Sequence, residues 1–288
     1  MKYKITLALL KGISALPFGI LYIFSDVISF IVFHILKYRR KIVYKNLTES
    51  FPLKSRKEIN QIAKNYYRFL GDMIVETLKL LNISDYELKK RFQVVNPDSV
   101  NASLEEGKSA AIFMGHYGNW EWVQEIGTYF TERAYRASIY RPLGNKLWDK
   151  IYKEIRGRWH MHIVEQNKAL KIMLNKDNQP WVFGFIADQR PRHVHPDNWV
   201  NFLNHETAFF TGPEDIGRKV GADFFYLDMY RIKRGYYKVE FKKLRPVDMT
   251  VSYPYSREFW KLFEKTIERN PALWLWSHNR WKYPRSSS

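Results

Sequence analysis

Between Phe92 and Ala187 short apolar runs alternate with helix-like stretches, and this alternation restricts the fold more than any other feature of the chain. The runs Phe92–Val95, Ala110–Met114, Arg136–Tyr140, Met161–Val164 and Trp181–Ala187 have the length and composition of buried strands. Helical patterns near Pro97–Glu106, Trp120–Thr131, Lys146–Gly157 and Lys168–Asn175 lie between or after them. Such alternation predicts an α/β fold with a mostly parallel sheet flanked by helices. Functional residues in such sheets gather where the strands end. His116, Arg141 and Asp188 each follow a strand candidate, so the pattern directs all three to one crevice. A second sheet region is expected further on, with Phe224–Arg231 and Tyr236–Lys242 joined as a hairpin through Lys233-Arg234-Gly235.

The segment from Ser109 to Trp122 carries the strongest chemical signal. Its strand, Ala110–Met114, runs into a turn bracketed by Gly115 and Gly118, with His116 inside the turn. Asn119 is placed to cap a helix starting near Trp120, with Glu121 in its first turn. On a continuous helix, residues five apart point roughly 140° away from each other. The glycine turn removes that restriction and lets the Glu121 carboxylate reach one imidazole nitrogen, leaving the other to take a proton. This is the base and orienter of general-base catalysis.

The N-terminal region is the second informative stretch. From Ile13 to Leu36 the chain is almost wholly apolar, broken by Pro17, Asp26 and His34. That length suits either a membrane span or a helix lying in one leaflet, and Asp26 near the middle disfavours the span. The cluster Lys37, Arg39, Arg40, Lys41 and Lys45 follows, as expected beside anionic lipid on the cytoplasmic side. Residues 1–40 therefore read as a membrane anchor helix and residues 41–288 as the α/β domain. A long amphipathic helix is expected from Ser55 to Leu80, with Ser55 and Glu58 as a capping box. On it Asp72 and Glu76 share a face and read as a solvated or salt-bridged pair.

The net charge of +18 points to acidic partners. A helical stripe of Lys146, Lys150, Lys153, Arg156 and Arg158 is a candidate surface for one, against the ordinary reading of a solvated face. The absence of cysteine excludes disulfides, thiolate metal sites and a cysteine nucleophile. His160 with His162 and His193 with His195 have a spacing that would put both rings on one face of a strand. No third ligand completes either set, so no metal is expected.

The pattern His116-x-x-x-x-Glu121 after a strand resembles the signature of glycerolipid and lipid A acyltransferases. Further blocks extend the resemblance in order: Tyr140-Arg-Pro-Leu-Gly-Asn145; Ala187-Asp-Gln-Arg190 with Asn201-Phe-Leu203, Thr207 and Thr211-Gly212; and Asn270-Pro-Ala-Leu-Trp-Leu-Trp-Ser-His278 with Arg280-Trp-Lys282. Asn46-Leu47 and Phe51-Pro52 also fit. Together they resemble the late acyltransferases of lipid A biosynthesis. Leu203, where that family usually has glycine, and Ala272, where glutamate is usual, are departures.

The resemblance implies acyl transfer from an acyl carrier protein thioester to a hydroxyl of a lipid A precursor, an acceptor that carries phosphate. It implies no cofactor, with acyl carrier protein or CoA thioester as co-substrate, and a location at the bacterial inner membrane with the catalytic domain facing the cytoplasm. His116 and Glu121 take the catalytic roles. Arg141 is the candidate for a lipid phosphate or the developing oxyanion, and Asn119, Asp188 and Arg190 are further substrate-binding candidates. Asp188 also reads as a support for Arg141 or Arg190, and Trp276, His278, Arg280 and Lys282 as lying at the membrane face or site rim. One rival is an acyltransferase for a lysophospholipid or aminolipid, using either thioester. A non-catalytic basic module on membrane or nucleic acid is another, but no nucleic-acid motif supports it and it leaves the glycine-bracketed dyad unexplained.

Overall fold

The computed structural model describes residues 2–159, 161–175, 179–191, 194–282 and 285. Its strands are β1 (Phe92–Val95), β2 (Ala110–Met114), β3 (Tyr135–Tyr140), β4 (His162–Glu165), β5 (Trp181–Ile186), β6 (Trp199–Phe202), β7 (His205–Ala208), β8 (Asp223–Lys233) and β9 (Tyr236–Lys243). Seven of them form one sheet in the order β1-β9-β8-β2-β5-β3-β4. All neighbours in it run parallel except β8 and β9. Each expected strand is present within a residue or two.

The expected hairpin forms as β8 and β9, around Arg234-Gly235, but it does not found a second sheet. β8 pairs parallel to β2 near the middle of the one large sheet. The reason lies in its composition: Phe224, Phe225, Tyr226 and Leu227 are all buried, and a run buried on both faces belongs inside a sheet. The second, two-stranded sheet is instead β6 with β7, which the apolar-run pattern did not mark. Its turn, Leu203-Asn204, holds both residues at positive φ, 50° and 63°. That is the type I′ geometry that fits a two-residue hairpin.

The helices are α1 (Lys2–Ala15), α2 (Phe18–Phe30), α3 (Arg40–Ser50), α4 (Arg56–Lys79), α5 (Asp85–Arg91), α6 (Asp98–Glu105), α7 (Lys146–Arg156), α8 (Gln166–Leu174), α9 (Gly212–Val220) and α10 (Pro254–Arg269). α4 starts at the expected capping box, with the Ser55 hydroxyl accepting from Glu58 N and Ser55 N donating to the Glu58 carboxylate. The segment expected to be helical from Trp120 is instead a turn followed by a 3-10 helix, Trp122–Tyr129.

Pro17 divides the apolar N-terminal run, because its ring cannot sit inside a helix and instead starts α2. Phe18–Ile35 is long and apolar enough to cross a membrane. It nevertheless lies along α4. A Cβ on Gly71 would stand 2.6 Å from the Ser25 carbonyl oxygen, so the helices meet at that glycine. Ser25 Oγ donates to Asp72 Oδ1 at 2.6 Å and Tyr22 OH to Glu76 Oε1 at 3.0 Å. Asp26, the awkward residue for a span, is ion-paired to Arg234 at 2.7 Å and Arg68 at 3.2 Å. The outer side of α1 and α2 leaves Ile5, Leu9, Ile13, Ile23, Val27 and Phe30 exposed.

Asp72 and Glu76 are fully buried, not solvated. Asp72 is ion-paired to Arg231 and Arg234, each at 2.6 Å. Glu76 accepts from Tyr22, Asn119 and Tyr237. Burial, with the Asp72 charge as the next cause, pushes the Glu76 carboxyl up to about 7.

Candidate active site

β2 and β5 are parallel neighbours with Met114 beside Ile186, and Ala187 N extends the ladder to Met114 O at 2.9 Å. Counting two residues past each of those partners brings His116 next to Asp188. The register therefore joins two residues that are 72 apart in sequence. His116 Nδ1 lies 2.6 Å from Asp188 Oδ1, and the His116 backbone N–H donates to Oδ2 at 2.9 Å. Trp274 Nε1 also donates to Oδ2, at 2.8 Å. Asp188 is 3% exposed. Burial acts to raise its pKa, but the His116 charge and these hydrogen bonds outweigh burial and hold the carboxyl at about 2.

An ionised carboxylate only accepts hydrogen bonds, so Nδ1 carries a hydrogen, and in the neutral form of the ring Nε2 is the nitrogen with the lone pair. The His116 side chain keeps 18% exposure. Gln189 Nε2 stands 3.4 Å from His116 Nε2, and the Trp120 ring meets the imidazole edge-on at 5.3 Å.

Both glycines of the motif serve this loop. Gly118 is at φ +58°, and a side chain there would strike Met229. A Cβ on Gly115 would collide with the Phe263 ring. The loop is clamped from the other side by the C-terminal segment: Gly118 N donates to Leu273 O at 2.9 Å, and Tyr117 bridges to Trp274.

Glu121 does not take the place expected of it. Its carboxylate is held by Arg156 of α7 in a two-pronged ion pair, Nε to Oε2 at 2.9 Å and Nη2 to Oε1 at 2.7 Å. The turn after Gly118 continues as a 3-10 helix, and the position at His116 Nδ1 is filled by Asp188, two residues past the end of β5. Asn119 is not available to a substrate either. It is fully buried, its Oδ1 accepts from Trp122 N at 3.1 Å as a cap, and its Nδ2 donates to Glu76 at 2.7 Å.

Arg141 follows β3 at the same end of the sheet as His116 and is exposed. Asn145 of the same block caps α7, accepting from Leu147 N at 2.9 Å. Arg190 follows Asp188 and lines a cleft with Arg280 and Trp281. The basic stripe on α7 and the turn after it is mostly engaged within the chain: Arg156 by Glu121, Lys153 by Asp149 at 3.1 Å, Lys150 over the Tyr3 ring, and Arg158, past the helix end, by the Leu80 and Ile83 carbonyls.

The closing motif is more interior than expected. Trp276 is fully buried and Arg280 is 3% exposed. Asn46 Nδ2 ties the N-terminal helices to this segment through the Trp276 and His278 carbonyls, at 3.0 and 3.1 Å. Trp274 was not among the candidates; its place in an indole-rich closing motif was the available signal, and the Asp188 contact is visible only in three dimensions. His160 and His193 lie outside the described residues, so neither histidine pair is described. Among the described residues no cluster of His, Asp or Glu has the make-up of a metal site.

A largely buried histidine whose Nδ1 is fixed by a strand-end carboxylate, on a mostly parallel α/β sheet, is an arrangement that can serve a transferase or hydrolase as a general base. The chain belongs to the bacterial lipid A biosynthesis acyltransferases, whose family model matches residues 2–283. It is 25% identical over 279 residues to the lipid A biosynthesis palmitoleoyltransferase of Escherichia coli (strain K12), covering 93% of this chain and 86% of that protein. The same figures hold for a lipid A biosynthesis acyltransferase of Shigella flexneri. The protein is an acyltransferase that moves an acyl group onto lipid A.

Proposed function

We propose that His116 Nε2 is the general base that deprotonates a hydroxyl of the lipid A precursor, with acyl carrier protein thioester as the donor. The observation that supports this reading is the 2.6 Å contact between Asp188 and His116 Nδ1, on an imidazole that keeps 18% exposure. As the acceptor oxygen attacks the thioester carbonyl, its proton passes to Nε2. Asp188 stabilises the imidazolium that results, and the C–S bond of the tetrahedral intermediate then breaks. The departing thiolate takes the proton back from Nε2, which leaves an ester, a free thiol and neutral His116. The thioester is already activated, so the reaction proceeds in a ternary complex without an acyl-enzyme.

In this reading Asp188, not Glu121, orients the base. Glu121 and Arg156 hold α7 against the loop that carries His116. Arg141, exposed at the same sheet end, serves the acceptor phosphate or the developing oxyanion.

α2 spends its polar residues on contacts with α4 and the β8–β9 hairpin, which suits a helix lying in one leaflet of the inner membrane on the cytoplasmic side. The exposed apolar side chains of α1 and α2 would enter the lipid, with Lys37, Lys41 and Lys45 near the headgroups.

The test is a reconstituted reaction with purified enzyme, a lipid A precursor, and either acyl carrier protein or CoA as the thioester. Mass spectrometry should show one added acyl chain with the carrier-protein donor and little with CoA. Equal or better transfer from CoA would refute the donor assignment, and no transfer from either would refute the reading as a whole.

A further inference from the structure

Among the described residues, Arg280 is a buried cation without an adequate counter-charge. Its guanidinium lies over the Trp260 ring at 4.6 Å, and Nη2 donates to the Ala208 carbonyl at 2.6 Å. Its Nε and Nη1 have no hydrogen-bond partner among the described residues. Asp188 is the carboxylate close enough to act on it, but Asp188 already receives three hydrogen bonds, two from His116 and one from Trp274. The second charge acting on Arg280 is that of Arg190, which is repulsive.

Leaving a charged donor buried and unpaired is costly, so a guanidinium kept in this state suits a site that an anion completes. Arg280 lines a surface cleft with Arg190, Trp199, Thr207 and Trp281. The carboxylate of that lining, Glu206, is engaged by Arg285 at 3.1 Å. The cleft has room for a group about the size of one water, which suits a single anionic oxygen rather than a whole headgroup.

We propose that this cleft is a phosphate subsite of the active centre, in which one unpaired N–H of the Arg280 guanidinium holds an oxygen of a substrate phosphate ester while His116 works on the neighbouring hydroxyl or thioester. The inference rests on the acyl-transfer reading above. Two substrates carry such a group: the lipid acceptor, through its sugar phosphate, and the carrier-protein donor, through the phosphodiester of its pantetheine arm. Lysine keeps the charge but not the planar fork, so Arg280→Lys is the informative variant.

Wild-type enzyme and Arg280→Lys are compared in steady-state kinetics with the intact acceptor and with the acceptor after phosphatase treatment. Loss of charge-assisted hydrogen bonds predicts a KM about 10- to 100-fold higher with little change in kcat. If the acceptor's phosphate is the ligand, the rise is in the acceptor KM and disappears with the dephosphorylated acceptor. If the donor's phosphodiester is the ligand, the rise is in the carrier-protein KM and is the same with both acceptors. Inorganic phosphate gives a readout independent of turnover: it should raise the melting temperature of the wild type and not that of Arg280→Lys. An active wild type with both KM values and the phosphate response unchanged in Arg280→Lys overturns the subsite. An inactive wild type overturns the acyl-transfer reading instead, and the phosphate melts still judge Arg280.

Discussion

Replacing Asp188 with asparagine changes one oxygen for an NH2 group, and the surroundings determine which way the amide turns. Three donors face the present carboxylate: His116 Nδ1–H at Oδ1, and the His116 N–H and Trp274 Nε1–H at Oδ2. An asparagine oxygen at the first position would keep the imidazole tautomer but set its NH2 against two buried donors. The reverse orientation satisfies both of those donors and places the NH2 against Nδ1. Nδ1 must then accept, and the ring hydrogen moves to Nε2, the atom required to act as the base. Each buried donor left unpaired costs about 1–3 kcal/mol, so with two at stake the unreactive tautomer should be favoured by at least about that amount. That alone is on the order of a 5- to 150-fold loss of competent enzyme. Losing the negative charge that stabilises the imidazolium adds to it, giving on the order of 10²- to 10⁴-fold in kcat. Single-turnover acyl transfer by Asp188→Asn, with its fold checked by circular dichroism, measures this directly. A folded variant within about threefold of wild type would refute both the tautomer argument and the pairing of Asp188 with His116, since even the lower limit above exceeds that change.

Four further outcomes follow from the same contacts. Glu121→Leu should lower stability by about 2–4 kcal/mol, because it leaves Arg156 without its buried partner, and adding Arg156→Met should recover most of that in thermal melts; equal melting of the single and double variants would contradict it. Leu203 is buried at φ +50°, so Leu203→Gly should be less destabilising than Leu203→Ala by about 1 kcal/mol in urea titrations, the reverse of the usual order. Glu76 titrates near 7 in the folded chain against 4.5 for an ordinary glutamate; the raised value means its protonated form favours folding, so this contribution is complete below pH 4.5 and about 3 kcal/mol is lost as pH rises to 7 and beyond. Glu125, pushed up to about 7 by burial, acts in the same window, so Glu76→Gln should flatten the fall in stability between pH 5 and pH 8 without abolishing it. Ile23→Asp with Val27→Asp changes only exposed positions of α2 and should shift the folded protein from anionic vesicles to the supernatant in a sedimentation assay; unchanged binding would remove α2 from the membrane contact.

The sequence carried the strands and their alternation well, because each buried strand is a compact apolar run that local composition reveals. It also carried the placement of His116, Arg141 and Asp188 at strand ends, a consequence of the same alternation. The partner of His116 was not legible. It depends on β5 lying next to β2, a pairing set by tertiary packing, while Glu121 stood five residues away and offered a local answer. The β6–β7 hairpin was hidden for a related reason: its turn uses Leu203 and Asn204 at positive φ, without the glycine that usually marks such a turn. Asp26 showed only that a simple span was uncomfortable. Its partners Arg68 and Arg234 lie 42 and 208 residues away, so only the folded chain explains why it is tolerated.

The most direct test of His116 as the base of lipid A acylation is mass spectrometry of lipid A from cells lacking this protein, complemented with wild type or with His116→Ala. Wild type should restore one secondary acyl chain. His116→Ala should restore none while accumulating to the same level in the membrane fraction. Restoration of that chain by His116→Ala would show that another group removes the proton and that the assignment of the site is wrong.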